Sequence, residues 1–118
     1  MAGETVRRRE DVPAVPMTGD GVKDVVKRVL VGPAEGWDGQ VMRLFEIGPR
    51  GHTPRHAHDW PHINVVVAGR GVLHVDGADH EIVQGSSAFV PAGATHQFSN
   101  AGSEVLQLVC IVPEVGDS

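Results

Sequence analysis

Gly51-His52-Thr53-Pro54-Arg55-His56-Ala57-His58-Asp59-Trp60-Pro61-His62 holds four of the chain's seven histidines. His56, His58 and His62 are separated by even numbers, so on an extended strand all three face the same way. Neutral imidazole is a good ligand for first-row divalent ions, and histidines at i and i+2 of a strand aim at one point. Asp59-Trp60-Pro61 favours a turn, which lets His58 and His62 arrive from adjacent strands instead. A fourth candidate, His96, stands far downstream in Pro91-Ala92-Gly93-Ala94-Thr95-His96. The reading is that these four meet around one metal ion inside a small β-barrel. A single strand histidine is ordinarily a surface or satisfied polar residue, and His74 and His80 are read that way. His52 has the right parity but lies close before Pro54 and is assigned to the loop leading in.

The rest of the chain suits a barrel. Gly 15 and Pro 8 in 118 residues cut it into short segments, and with Trp 2, Phe 3 and Tyr 0 the core falls to Val, Leu, Ile and Ala. Strands are expected over 24–31, over 40–47 (closed by Gly48-Pro49), and over 63–68. Gly69-Arg70-Gly71 then reads as a hairpin-like turn. Further strands are expected over 72–76 and 80–83, joined at Gly77, then over 87–90, 96–99 and 104–112. Short strands at this spacing indicate a sandwich or barrel, and no helix stands out.

Composition removes several functions. A formal net charge of −5 argues against nucleic acid, and no apolar run is long enough to span a membrane. Arg7-Arg8-Arg9 sits in a polar segment and reads as solvated. No apolar leader follows these arginines, and the single Cys110 excludes an internal disulfide; a cytoplasmic location is the expectation.

Two patterns together resemble the cupin superfamily. Its first motif is a glycine, His-x-His, three or four residues, usually a glutamate, six residues and a glycine. Here His56-Ala57-His58 is followed after three residues by His62, and Gly69 takes the last place. The second motif is complete: Gly85, five residues, Pro91-Ala92-Gly93, two residues, His96, three residues, Asn100. The resemblance covers about residues 21–113, leaving 1–20 as an N-terminal tail or arm and 114–118 as a C-terminal tail. It implies an all-β double-stranded β-helix, the cupin jelly-roll barrel, in one domain. It also implies a metal shell of His56, His58, His62 and His96.

The chain departs from the pattern twice. Gly51 stands one residue too close to His56, and His62 replaces the usual glutamate, as in small bacterial cupins with four histidine ligands. Four neutral imidazoles leave a divalent ion's charge uncompensated, so such a site attracts an anionic or enolisable oxygen ligand. Mn(II) or Fe(II) is the ion the resemblance favours, with Cu, Ni and Zn compatible.

The resemblance further implies a pocket. Arg43 and Phe45 point inward from the strand before the first motif, and Leu108 and Cys110 from the last strand, while Trp60 and Phe98 close the mouth. Arg43 there offers a positive fork for a carboxylate or enolate. A general base is sought among metal-bound hydroxide, Glu46 and a released histidine. The functional expectation is a metal-dependent, dioxygenase-like oxidoreductase acting on a small, partly apolar molecule. The alternatives are a lyase or isomerase using the metal as a Lewis acid, and a binding module without turnover; the twenty leading residues are too few for a DNA-binding domain. A homodimer is expected because the edge near Val25 to Val31 needs covering.

Overall fold

Apolar residues at every second position, interrupted by Gly and Pro, give strands whose two faces differ in polarity. A computed structural model of the chain describes residues 5–117. Its strands are β1 (Val15–Pro16), β2 (Lys23–Val31), β3 (Gln40–His52), β4 (His62–Ala68), β5 (Arg70–Val75), β6 (Ala78–Val83), β7 (Ser87–Val90), β8 (His96–Asn100) and β9 (Leu106–Pro113). The helical segments among the described residues are short 3-10 turns at Arg9–Asp11, Pro33–Glu35 and Glu114–Gly116.

Every strand pairing is antiparallel. The sheet runs β6-β5-β8-β3-β9-β4-β7, with β2 on the other edge of β3. It curls because β3 is long: its first part pairs with β2 and β9, while His52 at its far end pairs with Ser99 of β8. The expected stop at Gly48-Pro49 is therefore corrected. The strand carries on through an irregularity, with Arg50 at φ 66, and takes His52 into the sheet rather than into a loop. The two layers enclose a core that includes Ile47, Leu73, Ile82, Leu106 and Val112. This is the all-β jelly roll that the cupin resemblance implies.

The connections decide which layer each strand joins. Asp76 and Gly77, both at positive φ, make the two-residue hairpin between β5 and β6, with Val75 opposite Ala78. Gly69-Arg70-Gly71 is not a hairpin, because β4 and β5 are not neighbours. It carries the chain from one layer to the other. At the far side Asn100 donates to Ile47 O (2.9 Å) and Glu104 O (2.7 Å), and its Oδ1 accepts from Gly102 N (2.8 Å). The last residue of the second motif is thus a clamp at the end of β8.

The β2 edge is covered by the chain's own arm. Val15 and Pro16 pair with Lys27 and Val26, Arg28 donates to Arg9 O and Val12 O, and Val12 is buried. An open edge there is therefore not a reason for pairing two copies.

Candidate metal centre

The His56 segment is zipped onto β8. Thr53 N donates to Phe98 O (2.9 Å), and Phe98 N donates to Thr53 Oγ1 (2.9 Å). Three residues on, His56 and His96 exchange both backbone bonds, at 3.1 and 2.8 Å. Gly93 N then donates to His58 O (2.6 Å). His56 and His58 therefore sit on a docked loop, not on a regular strand, and only His62 opens one. Shared strand parity is not what brings the three together.

Ring nitrogens of His56, His58 and His96 lie within 4.8 Å of one another. His62 joins through His96, with the two Nε2 atoms 3.1 Å apart, and its ring centroid is 6.2 Å from that of His58. Both tautomers are set from behind. His62 Nδ1 donates to Asn64 Oδ1 (2.6 Å), and His96 Nδ1 donates to the Ala94 carbonyl (3.0 Å). Each ring then carries its lone pair on Nε2, and the two lone pairs face one another. Two nitrogens bound at right angles to one ion are about 3 Å apart, given bonds of about 2.1 Å. The donor chemistry fits a borderline divalent metal: all-nitrogen, tautomer-locked and convergent.

Electrostatics point the same way. Burial pushes His56 from the ordinary 6.5 down to about 4, with His58, His96 and Arg43 adding to the effect. Burial likewise brings His62 to about 4, opposed by the bond to Asn64 and assisted by His96, Arg43 and His58. His58 is also lowered, by burial and then by His96 and Arg43. At neutral pH these rings are free of competing protons.

A pH dependence follows from those directions. Between about pH 6.5 and 4 the unfolded chain holds more protons than the folded one, so the metal-free protein loses stability as the pH falls through that window. Above it, these histidines are neutral in both states and contribute no slope. Urea midpoints measured from pH 7.5 to 4 should fall with pH, and less steeply in His62→Gln. Equal slopes in the two proteins would refute the assignment.

A cavity of about 220 Å³ opens beside the four rings. Of the residues expected there, Arg43, Phe45, Trp60, Phe98 and Cys110 line it. Trp60 stacks on His58, with centroids 4.8 Å apart and planes at 6°, and Gly116 packs so tightly that a Cβ there would meet Trp60 Nε1 at 2.5 Å. Phe98 is buried in the wall rather than at the mouth. Leu108 is a correction. It lies opposite Phe45 in the closed part of the core, 1% exposed and off the wall, because the cavity begins only one inward position further along β9, at Cys110.

Glu46 is also a correction. Phe45 and Ile47 face inward, so Glu46 faces out and pairs with Arg28 at 2.6 Å. It is out of reach as a base. His74 is more than a plain surface residue: its Nδ1 contacts Asp79 Oδ1, and its Nε2 lies 3.2 Å from Ser99 Oγ on the outer face.

Asn64 was missed. It lies on the wall, 2% exposed, two residues after His62 and so on the same inward face. A polar residue at inward parity in a valine-rich strand was the available signal. Gly116 was missed because no local pattern shows a C-terminal segment folding back over the mouth.

Characterised proteins share much of this chain. Over 90 residues it is 30% identical to 1-methylthio-D-xylulose 5-phosphate methylsulfurylase of Rhodospirillum rubrum, covering 76% of this chain and 56% of that protein. Over 89 residues it is 33% identical to dimethylsulfoniopropionate lyase DddW of Ruegeria pomeroyi, covering 74% and 58%. The chain thus spans a little over half the length of these curated relatives. Among solved structures, the polyketide cyclase RemF of Streptomyces resistomycificus superimposes with a TM-score of 0.86 at 29% identity, covering 94% of this chain and 80% of that one. The Cupin domain family matches residues 43–112, which run from Arg43 through all four histidines. This chain belongs to the cupin family.

Proposed function

We propose that His56, His58, His62 and His96 hold one divalent transition metal, and that the protein is an enzyme acting on a small enolisable molecule without consuming oxygen. The observation that carries the reading is the pair of tautomer-locked Nε2 atoms 3.1 Å apart, whose lone pairs face one another. The names of the relatives, a lyase, a cyclase and a methylsulfurylase, favour elimination or rearrangement over oxygen insertion. The dioxygenase-like oxidoreductase becomes the second reading, and Mn(II) or Fe(II) remains the first choice of ion.

A divalent ion bound there supplies Lewis acidity toward a carbonyl or enolate oxygen. The protein's own groups do the rest. Asn64 and the Ala94 carbonyl hold two rings in the ligating tautomer, and Trp60 with Gly116 narrows the route for water. Arg43 is oriented by its Phe45 ring contact (4.8 Å) and by Cys110 Sγ (3.2 Å), and brings positive charge to the wall. No carboxylate lines the cavity among the described residues, so proton transfer falls to a histidine released from the metal or to the Cys110 thiol.

The test is metal analysis of untagged protein followed by anaerobic assays against enolisable carbonyl compounds. About one metal per chain is expected, with turnover unchanged when oxygen is removed. Turnover that stops without oxygen would move the protein to the oxidoreductase reading.

A further inference from the structure

Arg43, Cys110 and Asn64 are register partners on three adjacent strands, β3, β9 and β4, and all three line the cavity. Two buried donors in this row, Arg43 Nε and Asn64 Nδ2, have no hydrogen-bond partner among the described residues. Buried N–H groups are almost always satisfied, so two orphans flanking one residue on one wall indicate a missing acceptor. The rest of the Arg43 head is engaged: NH2 donates to Cys110 Sγ (3.2 Å) and NH1 to Gly116 O (3.4 Å), while Asp117 lies 3.6 Å away. Asn64 Oδ1 is likewise taken, by His62. No acidic side chain on the wall competes, and Phe45, Phe98, Met17 and Pro54 make much of the remainder apolar.

We propose that Asn64 and Arg43 form a carboxylate-binding wall, in which Asn64 Nδ2 and Arg43 Nε donate to the carboxylate of a small organic acid whose remainder is apolar. The inference rests on the reading of this cavity as the substrate site. β3 and β4 are the two neighbours of β9, each about 4.8 Å from it, so the two donors stand on either side of Cys110. Asn64 thereby serves two sites: its oxygen orients His62 and its nitrogen holds the ligand. It is a positioning residue toward the metal and a binding residue toward the acid.

Phenylacetate and its neutral isostere phenylacetamide are titrated by calorimetry into the full chain, as purified and after chelation. The acid should bind at least about 10-fold more tightly than the amide, since only the acid makes charge-assisted bonds. Arg43→Gln should weaken acid binding by about 10- to 100-fold. Asn64→Asp keeps the acceptor for His62 and replaces the donor with a negative oxygen. It should retain wild-type metal content and lose acid binding by at least about 10-fold. Equal binding of acid and amide by the wild type, absence of acid binding, or either variant binding within twofold of wild type would overturn the wall. The wild-type comparison needs no variant to fold. Acid preference that survives chelation supports the wall whatever becomes of the metal reading, whereas preference that vanishes with the metal would overturn the wall and leave the metal reading standing.

Discussion

His96→Ala is expected to lower metal affinity by about 100- to 1000-fold while the barrel stays folded. Structural sites of four ligands bind with roughly 10–16 kcal/mol, so one ligand carries about 2.5–4 kcal/mol of it. His96 is the ring that the others share. It belongs to the close group with His56 and His58, and it alone brings His62 into the cluster, at 3.1 Å. Its backbone does separate work, since the bonds that pair it with His56 use main-chain atoms that alanine keeps. Competition against a chelating dye should therefore show the loss while the thermal midpoint of the metal-free protein moves little. Metal content unchanged in this variant would dismantle the site as described. So would equal losses for His74→Ala, since His74 lies on the outer face.

The largest stability effect is expected at the crossing between layers. Gly71→Ala puts a Cβ into the Ser99 carbonyl and within 2.7 Å of Leu106 Cδ2, and Leu106 is fully buried. Gly69 is equally constrained: it has φ +79, and a Cβ would lie 2.6 Å from Val105 O. The nearest obstacles, Ser99 O and Val105 O, are backbone atoms, which do not swing aside. Gly71→Ala should cost about 3 kcal/mol or more, the upper range for overpacking a core. That corresponds to a thermal midpoint lower by roughly 10 °C for a domain of this size. Gly102→Ala is the control. Its closest contact would be the flexible Arg70 side chain, at 3.2 Å, with Asn100 Oδ1 at an ordinary 3.6 Å, and it should cost under about 1 kcal/mol. Differential scanning calorimetry decides, and matching midpoints for the two variants would show that the crossing tolerates a side chain.

The parts of this protein that were legible in the sequence are those written in local chemistry. Strand periodicity, the turn at Gly77 and the two spaced motifs gave the barrel, because each depends on residues close together along the chain. The histidines were also legible, although the reason first offered, shared strand parity, was not the physical one. His56 and His58 are placed by Thr53 and by backbone pairing with β8. What stayed hidden depends on pairing across the sheet. Pro49 marks a strand end locally, yet β2 on one side and Ser99 on the other keep β3 going to His52. Glu46 looked available until the parity of Phe45 and Ile47 turned it outward. Leu108 has the right face but the wrong depth, which alternation alone does not encode. The row from Arg43 through Cys110 to Asn64 exists only in the register of three strands brought together from distant parts of the chain.

The stack of Trp60 on His58 also makes the centre visible to light. The chain has two tryptophans, and the other, Trp37, is 40% exposed and belongs to the loop between β2 and β3. One indole thus emits from near water while the other lies against a ring of the histidine cluster, where a cation held by those rings would change its local field or quench it outright. Occupancy would then be read in the intrinsic fluorescence of the protein, with Trp37 as an internal reference and no added label.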